Sequence, residues 1–369
     1  MEIEIRLKKL LQDRGLYHHG VEQEIARACG LHRHTIGKLL RNQASNPSLE
    51  VLGQVCEWLA AKGVPRSILP RALVGAQKSE LWRAIGGPHH TVHLYLGEYR
   101  EFGLPGTQRR WVARRDAALA ADIAHHLALR SDSERAVVDV QTHFVPFRYT
   151  RRASRARTAR LEEDTRNAQR IYQETHTPPV RHNSLYLGSQ RVNYLTEYFV
   201  SDIFRCPKPF SAPESKPRVP FWLQYRSPDL AVTSVCGGMK PPRGFRGKSE
   251  PGTYFVDEGG QWRLCRYIED RQDAGIVIIA SDPGTEVVEI ALFGFSGRST
   301  EALGDYLISH SAHFWPLRVE AHGRKVGVFI CQFTFAKDPA STDEHAVNVT
   351  KAEIVGLHDD VLRDYLHGG

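Results

Sequence analysis

The sequence predicts two architectures in one chain: a small all-α N-terminal domain, then a large α/β domain on a mixed, partly parallel sheet. Three observations predict it. Apolar residues recur at helical spacing up to about residue 70. From about residue 90, short β-branched or aromatic runs take over, with helical stretches between several of them. Beyond residue 250, strand-like runs follow one another directly, which requires hairpins beside the parallel pairs. The expected division is 1–75 for the helical domain, 76–90 for a linker and 91–369 for the α/β domain. The last is divisible near 91–205 and 220–369.

Taken in order, Ile5, Leu7, Leu10 and Leu11 put one apolar stripe on a first helix that Gly15 stops. Residues 21–29 and 32–41 form the next two helices. Asn46-Pro47 opens a fourth, with Leu49, Leu52, Val55, Cys56 and Leu59 on its core side, and Gly63 and Pro65 close it. In the α/β part the strand runs are TVHLYLG (91–97), AVVDV (136–140), SLYLGS (184–189), AGIVIIAS (274–281) and EIALFGF (289–295). The helical stretches are 116–129, 156–174, 193–204 and 299–312. Segments 253–258, 262–268, 286–295 and 326–335 complete the hairpins, and Asp282-Pro283-Gly284 is a turn between two of them. Proline-rich stretches at 207–220 and 239–251 read as surface loops.

Composition narrows the class of protein. Hydrophobic residues make up 41% and charged residues 25%, as in an ordinary globular chain. No run of eighteen apolar residues exists, and the first residues lack a signal peptide's basic-then-apolar layout, so a cytoplasmic protein off the membrane is expected. The 6 cysteines never fall at C-x-x-C spacing, so reduced, isolated thiols are expected rather than a disulfide framework or a zinc knuckle. A net charge of +7 favours an anionic partner.

The stretch QEIARACGLHRHTIGKLLRN (23–42) is the most informative. Ala26 lets two helices approach, Gly30 allows a tight turn, and Ile25, Leu31, Ile36 and Leu39 anchor the second helix. Arg33, His34, Gly37, Lys38 and Arg41 are left facing outward, as on a helix that enters a major groove. Together with Gln23, Thr35 and Pro47-Ser48-Leu49, these residues resemble the Cro/C1-type helix-turn-helix of the XRE family of prokaryotic regulators, over residues 3–70. The resemblance implies binding of a double-stranded DNA operator as a homodimer. It implies base contacts from Arg33, His34 and Lys38, a phosphate contact from Gln23, and backbone proximity for Arg41 and Asn42, with Thr35 also in the DNA-binding set. Two departures stand out: the segment LYHHGVE is longer than usual, and Asn42 replaces the common glycine.

Two later segments share a second form. Gly188, Ser189, Arg191 and Asn193 follow one strand and lead into a helix; Ser296, Gly297, Arg298, Ser299 and Thr300 follow another. Small residues and hydroxyls where a strand meets a helix N-terminus suit a small anionic or nucleotide-like ligand, and they equally suit plain helix caps. Neither segment matches a phosphate-loop or dinucleotide fingerprint, so no cofactor is implied. Eight arginines between 148 and 170 face local carboxylates, which fits a solvated helix, a DNA backbone contact or an acidic-ligand pocket.

The 18 histidines show no metal spacing, GFSGR is out of register for a nucleophile elbow, and nothing local pairs Asp116, Asp273 or Asp282 for acid–base work. The expectation is therefore a DNA-binding regulator whose α/β part dimerises and senses a small ligand. The alternative is a nucleotide- or sugar-processing enzyme that carries a helix-turn-helix.

Overall fold

The computed structural model describes residues 3–5, 7–41, 43, 47–64, 69, 74–76, 80–87, 91–102, 108–130, 138–148, 155–178, 180, 182–206, 209, 218–225, 250–337, 347–355 and 357–367. The chain divides into two compact units, Met1–Ser79 and Glu80–Gly369.

The first unit is mostly helical. Strand β1 (Ile3–Ile5) precedes α1 (Leu7–Asp13), α2 (Val21–Ala28), α3 (Arg33–Leu40) and α4 (Leu49–Ala61), and β2 (Val74–Ala76) follows them. Helix α2 ends in a left-handed Gly30 (φ +64°), where the Leu31 N–H turns back to the Ala26 carbonyl at 2.9 Å and closes the helix end. Ile25, Ala26, Ile36 and Leu39 are buried with Leu7, Leu11, Val55 and Leu59 in one core, and Leu31 packs on its margin.

Three expectations fail in this unit. Ile5 belongs to a strand, because β1 pairs antiparallel with β2. Gly37 is buried: without a side chain it leaves room for the Glu22 carboxylate and the Arg41 guanidinium. Leu49 is 87% exposed, since it opens α4 beside the cap Ser48 while Val55, Trp58 and Leu59 form the buried stripe.

The second unit contains α5 (Glu80–Ile85), β3 (Thr91–Phe102), β4 (Gln108–Val112), α6 (Arg114–Arg130), β5 (Asp139–Arg148), α7 (Arg155–Thr175), β6 (Asn183–Leu187) and α8 (Tyr194–Ile203). There follow β7 (Phe221–Gln224), β8 (Gly252–Val256), β9 (Trp262–Arg266), β10 (Gln272–Asp282), β11 (Val287–Gly294), α9 (Gly297–Ser309), β12 (Val319–Ala321), β13 (Arg324–Lys337), β14 (Val347–Ile354) and α10 (Asp359–His367).

Nine of these strands form one sheet. Strands β5, β3, β6 and β11 lie side by side in that order and run parallel. Beyond β11, β10 and β13 add antiparallel strands, and β12 and β14 pair with β13. Strands β7, β8 and β9 make a separate antiparallel sheet.

Alternation along each strand supplies two cores. Leu94, Leu96, Ile290 and Leu292 face α5, α6 and α9. Tyr95, Tyr186, Ala291 and Phe293 face α8, α10 and the small sheet. The result is a layered α/β sandwich with a mixed, partly parallel sheet at its centre.

Two boundary expectations change. The span read as a linker, 76–90, contains α5, whose Leu81, Trp82 and Ile85 are buried. The Asn183 side chain donates to the Ile85 carbonyl (2.7 Å) and accepts from the Val288 N–H (2.7 Å), which ties α5 to the sheet. The second unit also does not divide near residue 205–220, because β6 from one half is hydrogen-bonded to β11 from the other. The proline-rich stretches lie largely outside the described residues.

Candidate functional site

On the first unit, α2 and α3 are eight-residue helices joined by Cys29–His32. His32 caps α3: its Nδ1 accepts from the His34 N–H at 3.1 Å. Gln23, Arg33, His34, Lys38 and Arg41 are exposed and Thr35 is half-buried; Asn42 lies outside the described residues. Glu22, from the first turn of α2, sits 3.7 Å from Arg33 Nε. Arg41 Nε donates to Gln43 Oε1 at 3.1 Å. Around the longer segment, His18 and Lys62 both reach Glu24, at 3.1 and 2.7 Å. The Arg-rich stretch forms most of α7, where Arg170 pairs one turn along with exposed Glu174 at 2.7 Å.

On the second unit, the sheet order sets where the two strand-to-helix turns lie. Strand β3 continues to β5 on one side, and the chain then returns to β6 on the other. In α/β sheets the carboxyl ends of such a strand pair are where ligands bind, but neither cavity beside the β11–α9 turn is lined by Gly188, Ser189, Arg191 or Asn193. The β6–α8 turn and the β11–α9 turn are neighbours there, because β6 and β11 are adjacent and parallel. The structure thus gathers the two predicted segments at one end of the sheet.

Their side chains have different tasks. Asn193 is fully buried as the cap of α8, accepting from the Leu195 N–H and donating to the Tyr95 and Leu187 carbonyls. Gly188 takes a left-handed conformation (φ +96°), and its carbonyl accepts from Thr196 Oγ1 at 2.8 Å. Gly97 on β3 leaves no room for a side chain, since a Cβ would collide with the Val192 carbonyl. Ser299 and Thr300 are buried as well, and both donate to the Ser296 carbonyl, at 3.0 and 3.1 Å. Asn193, Ser299 and Thr300 thus commit their side chains to hydrogen bonds within the fold.

Ser296, Gly297 and Arg298 face a cavity of about 240 Å³ with Arg115, Tyr267 and Asp273. A second cavity of about 500 Å³ shares Arg115, Arg298 and Phe335 with the first. Arg298 pairs with Asp270, and Arg115 Nη1 with Glu301 Oε2 at 2.7 Å. Ser189 and Arg191 lie beside Tyr225, whose ring stacks on Phe295 at 4.8 Å and carries the Arg191 guanidinium at 4.0 Å. Burial raises the Tyr225 hydroxyl, and Arg191 and Ser189 pull it back. Gln190 is 1% exposed, and neither atom of its amide meets a hydrogen-bond partner among the described residues.

Two carboxylates accompany the turns. Asp116, in the first turn of α6, would lie 3.2 Å from a Cβ placed on Gly188, and burial pushes its carboxyl up to about 6. Asp273 opens β10 beside the carboxyl end of β11. It accepts from the Ser296 hydroxyl and from the Ala274 N–H, yet burial still lifts it to about 6. Sequence reasoning named both residues but could not place them, since only the strand order brings them to the turns. Asp282 instead makes the β10–β11 turn, accepting from the Gly284 N–H at 2.8 Å.

At the opposite end of the parallel strands a second polar cluster went unread. Glu289, near the start of β11, accepts from His176 Nε2 (2.6 Å) and the Tyr186 hydroxyl (2.9 Å) and lies 3.4 Å from Arg324. Burial alone would raise its carboxyl, but His176, Arg324 and Tyr186 hold it below the ordinary value. No helix among the described residues is long and apolar enough to cross a membrane. Comparison of the chain with protein-family models, curated proteins and solved structures finds no match.

Proposed function

We propose that this chain is a sequence-specific DNA-binding regulator. In this reading α2 and α3 act as a Cro/C1-like helix-turn-helix on a double-stranded operator, two copies occupying half-sites about one helical turn apart. The α/β unit dimerises the chain and senses a small anionic ligand at the carboxyl end of its sheet.

The observation that carries the reading is the division of α3. Ile36 and Leu39 are buried, while Arg33, His34, Lys38 and Arg41 are exposed on a helix held by a four-residue turn. Arginine offers two parallel donors to a guanine edge, and lysine suits phosphate.

The test is selection of bound DNA from a random pool, with and without small-molecule cell extract. One enriched motif that weakens with extract supports both halves of the reading. Absence of any enriched motif under both conditions overturns it. Arg33→Ala is expected to cost about 1–3 kcal/mol on the selected sequence and to relax preference there, read by gel-shift titration. Lys38→Ala distinguishes a base contact, whose loss is confined to the selected sequence, from a phosphate contact, whose loss weakens all sequences alike and reduces the salt slope by about one.

Asp116 and Asp273 favour a second reading, an enzyme acting on a nucleotide or sugar-like substrate. A buried carboxylate that titrates near neutrality is suited to moving protons. Turnover of a nucleotide or sugar-phosphate mixture, followed by mass spectrometry and lost in Asp273→Asn, would establish it. Absence of turnover leaves the regulator.

A further inference from the structure

We propose that the paired cavities beside the β11–α9 turn bind a phosphorylated polyol, a sugar phosphate taken either free or within a ribonucleotide; this rests on reading that cleft as the ligand site. Arg115 and Arg298 line both cavities and so stand where the two meet. They come from different helices, α6 and α9, and reach one place because those helices pack together, with Leu119 against Gly304.

Each guanidinium is already held by a carboxylate of the chain, Arg115 by Glu301 and Arg298 by Asp270. Both carboxylates are partly exposed, at 41% and 36% of their side-chain surface, so both can turn outward into water. Phosphate oxygens present the same acceptors to the same fork and can replace them.

A bare anion does not fit the rest of the lining. Besides Arg114, Arg115 and Arg298, the two cavities are lined by Glu269, Asp270 and Asp273 in the smaller and by Glu301 and Asp305 in the larger. An inorganic ion is attracted where the cavities meet and repelled along both arms. What carboxylates along an arm select is a hydrogen-bond donor without full negative charge, as an acidic residue in an α/β site selects a ribose hydroxyl.

The smaller arm already accepts one hydroxyl: Ser296 Oγ donates to Asp273, which is 3% exposed. Tyr267 in that arm, and Phe335 at the junction, add flat apolar surface for the C–H face of a ring. At about 240 and 500 Å³ the arms match a sugar ring and something larger. Phosphate at the junction meets Arg115 and Arg298, and hydroxyls in the smaller arm meet its carboxylates.

The experiment is calorimetric titration of the full chain with inorganic phosphate, ribose, ribose 5-phosphate and AMP, repeated with Arg298→Gln and Asp273→Asn. Ribose 5-phosphate or AMP is expected to bind at least about tenfold more tightly than phosphate or ribose, the worth of one good hydrogen bond to a charged group. Arg298→Gln should weaken the phosphorylated ligands by about tenfold or more. Asp273→Asn should not weaken inorganic phosphate and should shrink the preference for the sugar. Tighter AMP than ribose 5-phosphate identifies a nucleotide source, and the reverse order a free sugar phosphate.

The proposal is overturned if phosphate binds as tightly as its sugar esters, if nothing binds, or if Asp273→Asn keeps the full preference. Circular dichroism and unliganded melting temperature of each variant separate lost binding from lost fold. Operator affinity is measured in parallel. Sugar-phosphate binding without any DNA binding leaves the ligand class standing and removes the regulator.

Discussion

The large unit buries carboxylates at both ends of its parallel strands, and the two ends treat them in opposite ways. Glu289 is 5% exposed, and His176, Tyr186 and Arg324 all approach it; its carboxyl is held down and stays ionised. Asp116 and Asp273 are 4% and 3% exposed, and burial lifts both to about 6. A buried charge is tolerable when paired and hydrogen-bonded, and costly otherwise. The first end therefore holds layers together, whereas burial at the second favours the protonated form of its carboxyls. Perturbed carboxylates of that kind gather where ligands bind and react.

The largest test of this contrast is Glu289→Ala. It leaves His176 and Arg324 facing a buried gap, and a loss of about 3–5 kcal/mol is expected in urea unfolding. A loss under 1 kcal/mol would mean that the cluster is too hydrated to matter.

Next is Asp116→Asn, with the opposite sign. The folded value of Asp116 lies above its unfolded value of 3.8. Its contribution is therefore present in acid and lost as pH rises through about 6. The substitution is expected to stabilise the fold at pH 7.5 by up to about 2–3 kcal/mol, and to have little effect at pH 4, by thermal melting. Destabilisation at pH 7.5 would make Asp116 an ordinary structural acceptor.

The smallest effect concerns His176, where Glu289 outweighs burial and raises the imidazole above its usual value. Its stabilisation is complete below the unfolded value of 6.5 and is lost as pH rises through the folded one. The stability difference between the wild type and His176→Ala is thus expected to shrink on the alkaline side. A difference that grows with pH would reverse the assignment of charge in this pair.

Local signals carried far in this chain. The bounds of α2 and α3, the strands β6, β10 and β11, and both strand-to-helix turns follow from periodicity, glycine and caps within a dozen residues of each other. Other features lacked a local signal. Strands β1 and β2 have three residues each and exist only because the two ends of the first unit meet. Helix α5 has six residues, too few to show a period. Asp116 comes beside Gly188 only through the strand order that sets α6 next to the β6 turn. His176 and Glu289 are 113 residues apart in sequence. Spatial company, rather than residue type, decided which polar groups became caps and which line a cavity.

The pairing of β1 with β2 has a consequence for the order in which the chain folds. It closes the first unit at Ala76, so that this unit needs no partner strand from the residues that follow it. The large unit must wait. Its β6 strand needs β11, a partner 105 residues further on at the Asn183–Val288 contact, and pairings of such span form slowly. During synthesis the small unit therefore stands folded while the apolar strands after it are still without their neighbours.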